Sequence, residues 1–167
     1  VVCGADCPGR FIISGFQSLN AMSAEACRPF DIERQGMNLG AAAATVVLGS
    51  RLSPGWRSSG RADERIWQIG HGYIRNDAFH ISTPSKTADG LTAALQQTLE
   101  EVGKEDIAFV NAHGTATLFN DQMEAVALRR AGLSDLPVNA LKGYIGHTLG
   151  AAGIFETILG MKSVDDH

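Results

Sequence analysis

The sequence predicts an α/β architecture, and three observations carry that prediction. Leu91, Leu95, Leu99 and Val102 recur at helical spacing, the mark of one buried face of an α-helix. Ile107 to Ala112 is a short continuous apolar run that leads through a glycine-containing loop into a second helical pattern. Pro137 to Leu141 then repeats this strand, loop and helix order, the alternation expected of a parallel sheet.

Taken in order, Val1 to Asp6 reads as the end of a β-strand already under way, with neither an initiating Met nor a basic leader, so the polypeptide is expected to start earlier. Leu39 to Gly49 is apolar, small and β-branched, and reads as a buried strand. Within it, Ala41 to Leu48 is paired by prediction with Arg65 to Tyr73 as a hairpin across an exposed Ser53 to Gly60 loop, where Pro, Gly and Ser cluster.

From Thr87 the period becomes helical. A helix is expected from Thr87, as N-cap, to Val102, with Gly103 as the stop. Ile107 to Ala112 follows as a buried strand ending at His113, Gly114 and Thr115. Asp121 and Glu124 have capping-box spacing ahead of Val126, Ala127 and Leu128, and Gly132 closes that helix. The strand at Pro137 to Leu141 leads through Lys142 to His147 into a helix beginning near Leu149, whose Gly150, Ala151, Ala152 and Gly153 suit a buried helix approached closely by other backbone. Each histidine therefore stands at a strand-to-helix junction, and ligands in open α/β sheets bind beyond the carboxyl ends of strands.

Composition narrows the function. With 167 residues and 44% apolar side chains, one medium domain with a sizeable core is expected. A net charge of -4 leaves no basic face for nucleic-acid phosphates, and no apolar stretch is long enough to span a bilayer. Cys3, Cys7 and Cys27 are an odd number without zinc-ligand spacing, which points to a reducing compartment and hence to the cytoplasm. His113 and His147 have no third ligand at metal-binding spacing, so no metal site is expected. The glycine-rich segment from Gly146 to Gly153 is neither a dinucleotide fingerprint nor a Walker loop, and no G-x-S-x-G elbow occurs. Alone, each histidine is also compatible with a hydrogen-bonded structural role.

Five segments occur in order: Gly15-Phe16 with Leu19 to Ser23; Arg28-Pro29-Phe30-Asp31; Arg34-Gln35-Gly36; Val110-Asn111-Ala112-His113-Gly114-Thr115-Ala116-Thr117 with Asp121 and Glu124; and Lys142 to Gly153 with Glu156. Together they resemble the elongating β-ketoacyl-acyl-carrier-protein synthases of the thiolase-like superfamily over nearly the whole chain. The resemblance implies a layered α-β-α-β-α fold, of which residues 1–167 are part of one domain. Residues 1–85 would close its first half and 86–167 would open its second.

It also implies a decarboxylative condensation of an acyl thioester with malonyl-acyl carrier protein, in fatty-acid or polyketide-type synthesis. His113 and His147 would be the catalytic histidines, donating to a developing thioester oxyanion. Lys142 would be the active-site lysine, paired with Glu156. Thr115 and Thr117, with Ser82 and Thr83, would line the path of the phosphopantetheine arm, although turn chemistry is the plain alternative for the second pair. No cofactor beyond that substrate-carrying arm is implied. The partners would be acyl carrier protein and a second subunit, in a homodimer or a ketosynthase heterodimer.

The family's nucleophilic cysteine would lie upstream of Val1, and none of Cys3, Cys7 and Cys27 has a site that would lower a thiol pKa; the isolated chain is therefore expected to be inactive. Ala116 replaces the glycine or serine common at its position, a change of little bulk. Gly40-Ala41-Ala42-Ala43 stands where the family usually has Gly-Glu/Asp-Gly-Ala, so one supporting acid is missing. The rival reading is a noncatalytic chain-length-factor-like partner, against which retention of both histidines and the lysine argues. A degradative thiolase is disfavoured by its different arrangement of His and Cys.

Overall fold

The computed structural model describes residues 1–50 and 66–166. Strand β1 (Val2–Asp6) is followed by helix α1 (Arg10–Ser18) and strand β2 (Ala42–Val46). Then come α2 (Asp89–Leu99), β3 (Val110–Asn111), α3 (Leu118–Arg130), β4 (Val138–Asn139), the single-turn α4 (Lys142–Ile145) and α5 (Ala152–Asp165), the last preceded by a 3-10 turn at Leu149–Ala151. These strands make two two-stranded sheets. β3 and β4 are parallel, Val110 opposite Val138 and Asn111 opposite Asn139, as the repeated strand-loop-helix order predicts.

The predicted hairpin is not formed. β2 pairs antiparallel with β1, Val2 opposite Val46 and Asp6 opposite Ala42, while residues 66–73 run without strand structure. The Ser53 to Gly60 loop lies outside the described residues. The physical reason is in β1: Gly4 lets that strand lie against the Leu149–Ala151 turn, where a Cβ at Gly4 would come 2.8 Å from the Gly150 carbonyl oxygen. β2 therefore completes a sheet already seated on the start of α5. Nor is β2 buried, its residues alternating between half-buried and exposed, so its small side chains serve pairing on one face.

Both ends of α2 and the start of α3 also differ from expectation, α2 stopping at Leu99 instead of Val102. Ala88, in the left-handed region at φ 56°, precedes α2, and Thr87 gives its hydroxyl proton to Asp89 instead of capping. Ser85 does the work near that end: it is held at both backbone N–H and hydroxyl by Asp77, and its Oγ accepts the Ala88 N–H. α3 starts at Leu118, which puts Asp121 and Glu124 inside the helix instead of at a capping box. Its other end is as expected, with Gly132 at φ +76° and the Leu133 N–H bonded back to the Leu128 carbonyl.

The apolar composition does not yield a large apolar core among the described residues. Among the described residues the buried apolar side chains are mostly alanines, whereas Phe11, Ile32 and Ile74 are 88%, 96% and 91% exposed. Two sheets of two strands cannot cover such side chains on both faces. α5, read from its small residues as a buried helix, is mainly half-buried here, with Ala152 and Glu156 its buried residues. The interior is organised around polar groups, and Lys142, Thr148 and Asp121 are among its most deeply buried side chains.

Residues 36–46 thread these parts together. Met37 pairs with Met22 and Leu39 with His147, both in parallel bridges, before the chain enters β2. Gly40 crosses the backbone of residues 145–146 so closely that a Cβ would sit 2.0 Å from the Ile145 carbonyl oxygen. Gly40→Ala is therefore expected to lower stability by about 1–3 kcal/mol or more through overpacking. Gly153→Ala meets open space in helical backbone and should raise stability by roughly 0.5–1 kcal/mol. Thermal unfolding followed by circular dichroism gives both values, and a Gly40→Ala variant as stable as the parent would refute the close crossing.

Candidate active site

His113 lies two residues beyond β3, and its loop is held from below by α3. The Glu124 carboxylate accepts the backbone N–H groups of His113 and Gly114, each at 2.7 Å. Asp121 accepts the Ala116 N–H at 3.1 Å and the Phe30 N–H at 2.7 Å. Spaced three apart, the two acids share one face of the helix, and both are buried. Asn120 supports them, its amide donating to Glu124 at 2.8 Å. The spacing that resembled a capping box thus belongs to a carboxylate clamp. An acid pair directly after a loop rich in small residues, whose N–H groups need acceptors, was the available signal.

Gly114, at φ +45°, has no space for a side chain, since a Cβ would lie 2.7 Å from that of Ala140. Ala116 also adopts the left-handed region, at φ 61°, and is fully buried. A glycine would be unstrained there, whereas an alanine carries a backbone cost of about 1 kcal/mol.

His147 is set by a different device. It follows α4 and Gly146, and its backbone is fixed by residues 38–40: its N–H donates to the Asn38 carbonyl at 2.7 Å, and its carbonyl accepts the Gly40 N–H at 3.0 Å. The Leu149 N–H donates to His147 Nδ1 at 3.2 Å. A ring nitrogen that accepts carries no proton, so the neutral imidazole bears its proton on Nε2. The His113 and His147 rings meet edge to face, with centroids 5.0 Å apart and planes at 83°.

Both rings are kept neutral. Loss of solvent is the largest cause of the lowered His113 pKa, followed by the Lys142 charge. His113 is exposed, which weakens the loss of solvent as a cause, but the two causes act in the same direction. For His147, desolvation, then His113 and Lys142, bring the pKa down to about 4.

Lys142 is itself buried, and its Nζ donates to Glu156 Oε1 at 2.6 Å, with side-chain exposures of 1% and 8%. The second Glu156 oxygen accepts the Asn111 amide at 3.1 Å. Lys142 sits at the start of α4, Glu156 on the second turn of α5 and Asn111 at the end of β3, so the pair ties three elements together.

The Thr115 and Thr117 hydroxyls are 2.8 Å apart, the first buried and the second half-buried. Ser82 is exposed and Thr83 half-buried. Ser82 makes local contacts, its N–H lying 3.2 Å and its Oγ 3.4 Å from His80 Nδ1, and among the described residues neither Ser82 nor Thr83 is hydrogen-bonded to the histidine pair. Cys3 lies in the exposed β1, and Cys7 is exposed. Cys27 is buried, and burial raises its thiol pKa, with the Asn38 hydrogen bond acting the other way, so it stays protonated. Among the described residues no group of three or more His, Cys, Asp and Glu side chains could hold a metal, and no helix is long and apolar enough to cross a membrane.

A parallel β-α unit with a histidine beyond the strand and a buried lysine beside it defines an α/β protein built around a polar site. Comparison with known proteins makes this specific. Residues 68–167 match the family described as beta-ketoacyl synthase, C-terminal domain. The chain is 33% identical over 166 residues to 3-oxoacyl-[acyl-carrier-protein] synthase 2 of Coxiella burnetii, an alignment covering 93% of this chain and 39% of that protein. It is 32% identical over 162 residues to the chloroplastic synthase I of Hordeum vulgare, over 91% of this chain and 34% of that one.

Among solved structures it superposes with a TM-score of 0.73, at 34% identity, on the ketosynthase (ApeO) in complex with its chain length factor (ApeC) from Xenorhabdus doucetiae, covering 93% of this chain and 37% of that one. A beta-ketoacyl synthase from Burkholderia phymatum also gives 0.73, at 27% identity, over 96% and 40%. The chain belongs to the β-ketoacyl synthase family and has its thiolase-like α/β fold. It spans about two fifths of the length of these relatives.

Two measurements follow from this geometry. The His147 ring protons should titrate by NMR with a midpoint near 4, and a midpoint at the ordinary histidine value would contradict the desolvated ring. Because the folded-state pKa is below the unfolded one, the unfolded chain takes up the proton first. This contribution costs nothing above the unfolded pKa, lowers stability as pH falls from about 6.5 towards 4, and levels off below that. Separately, Lys142→Met or Glu156→Gln alone should cost about 3–5 kcal/mol by stranding a buried partner, and the double variant much less than the sum. Additive losses in chemical denaturation would mean that the two side chains do not interact.

Proposed function

We propose that this chain supplies the malonyl-activating half of a 3-oxoacyl-[acyl-carrier-protein] synthase site. In the reaction, the bond from the malonyl carboxylate to its methylene carbon breaks, carbon dioxide leaves, and the electron pair passes into an enolate whose charge rests on the thioester oxygen. The enolate carbon then attacks an acyl group held as a thioester on a cysteine, forming a carbon–carbon bond and releasing the thiolate. His113 and His147 donate to the enolate oxygen. Neutral imidazoles suit this task, since they stabilise developing charge without giving up their protons.

The observation that carries the reading is the edge-to-face imidazole pair, one ring with Nδ1 engaged by the Leu149 N–H and Nε2–H left as donor. Lys142 is ion-paired with Glu156 beside them. Thr115 and Thr117, together with Ser82 and Thr83, hydrogen-bond the phosphopantetheine arm of the substrate. That arm belongs to acyl carrier protein, which is the partner, and no resident cofactor is required. Residues 1–85 and 86–167 belong to the two halves of a synthase that acts in the cytoplasm as a homodimer or a ketosynthase heterodimer. The nucleophilic cysteine comes from outside this chain, which alone is inactive.

A second reading, a noncatalytic partner resembling a chain length factor, is favoured by the similarity to a structure containing such a pair. Retention of both histidines and the lysine favours the synthase. In the complete protein, His113→Ala or His147→Ala should each lower condensation by roughly two to three orders of magnitude, as for loss of an oxyanion donor, while acyl loading of the cysteine persists. Radiolabelled acyl- and malonyl-carrier protein separate the two steps. Undiminished decarboxylation and condensation in both variants would refute the assignment, and failure of the parent protein to accept an acyl group would favour the partner reading.

A further inference from the structure

Asn38 and Cys27 belong to none of the motifs that carry the family resemblance, yet each is bonded to a segment bearing one of the two histidines. Asn38 gives its backbone carbonyl to the His147 N–H at 2.7 Å. Its side chain faces the other way, where Oδ1 accepts the Cys27 N–H at 2.7 Å and Nδ2 donates to the Ser23 and Glu25 carbonyls, each at 3.1 Å. Cys27 in turn donates its thiol proton to the carbonyl of Thr115 at 3.6 Å, two residues past His113. A continuous path thus runs from the backbone of His147 through Asn38 and Cys27 to the loop of His113.

The path is built to hold shape. Asn38 uses its side-chain acceptor once and both amide protons, so its orientation is overdetermined. The Cys27 thiol is 5% exposed with its residue and protonated, as a donor must be. Nearby, a Cβ at Gly143 would lie 3.4 Å from the Cys27 carbonyl oxygen, so Cys27 also packs against the turn that carries Lys142. An aliphatic residue at 38 keeps the backbone bond to His147 but loses the side-chain hold on residues 25–27, and with them the thiol.

We propose that Asn38 and Cys27 form a hydrogen-bonded bridge that positions the His113 and His147 imidazoles against each other. They are positioning residues and touch no reacting atom. The catalytic consequence rests on the function proposed above, whereas the bridge itself does not. The side-chain amide of Asn38 fixes the 23–27 loop, the thiol of Cys27 fixes the His113 loop, and the Asn38 carbonyl fixes His147.

The test uses Asn38→Leu, Cys27→Ala and Cys27→Ser in the complete protein, with two readouts. The first is NMR of the two imidazoles: their ring-to-ring nuclear Overhauser effect and the His147 titration midpoint. Asn38→Leu and Cys27→Ala should weaken the first and move the second upward towards the ordinary histidine range, while Cys27→Ser, which keeps a donor, should return both towards the parent. The second readout is turnover, where a fall of about ten- to a hundredfold in kcat with little change in KM is expected of misplaced groups.

Unchanged ring contact and midpoint in both Asn38→Leu and Cys27→Ala would overturn the bridge. A serine variant no better than the alanine one would overturn the role of the thiol donor. Should Asn38→Leu fail to fold, the Cys27 pair carries the test alone. Rings that move without any loss of turnover would uphold the bridge and count instead against the histidines as the catalytic pair.

Discussion

The buried ion pair between Lys142 and Glu156 is the constraint on which the rest of this structure depends. An ammonium at 1% exposure is tolerable only against a carboxylate held in place, because the loss of hydration on burial is larger than a loosely placed partner can offset. Glu156 is held by its position on α5 and by the Asn111 amide. Seating the lysine therefore requires β3, α4 and α5 to be in register together. The glycine crossings serve the same end. Gly4 brings β1 onto the turn before α5, and Gly40 brings residues 36–46 across the end of α4. No large apolar core enforces these approaches in the described residues, so polar contacts with short, directional geometry define them.

The same charge explains the state of the histidines. A cation near two imidazoles opposes a second positive charge on either ring. Desolvation works in the same direction, and Glu124 and Glu156 oppose it for His113 without reversing the outcome. The carboxylates near the site are engaged elsewhere: Glu124 and Asp121 with backbone N–H groups, Glu156 with Lys142. Their negative charge is used to hold loops and to balance the lysine, leaving the imidazoles as neutral donors.

The sequence made the second half of the molecule legible and the first half much less so. From residue 87 onward, period and turn chemistry are local, and they indicated the places of the helices, the parallel pairing of β3 and β4, the Gly132 stop and the place of His113 just beyond a strand, although β3 and β4 are shorter than the expected runs Ile107 to Ala112 and Pro137 to Leu141 and are not buried. Residues 1–50 resisted because their structure is made by partners far along the chain. β2 was read with its nearest apolar neighbour, whereas its true partner is β1, and Leu39 bridges to His147, which lies beyond three helices. No periodicity in Ala41 to Leu48 encodes that choice; the space made by Gly4 and Gly40 does. Asp121 and Glu124 were legible as a pair but not in their role, since a capping box and a clamp on a preceding loop share the same spacing. Ala116 looked harmless by size because backbone strain is invisible until φ is known.

The two histidines reach their positions by unlike means, and this bears on how the site holds together. His113 hangs from side-chain carboxylates on α3, whereas His147 is fixed through main-chain bonds to residues 38–40. A carboxylate clamp can be weakened by one substitution at Glu124, which accepts two N–H groups at once. The main-chain bonds at His147 survive most side-chain changes and are vulnerable instead wherever the backbone crossing is obstructed, at Gly40 and Gly146. Placement of one ring is thus controlled by the chemistry of a helix face and of the other by the absence of side chains. The 5.0 Å separation of the rings is therefore the meeting point of two unlike structural controls, joined through Asn38 and Cys27, rather than the property of a single loop.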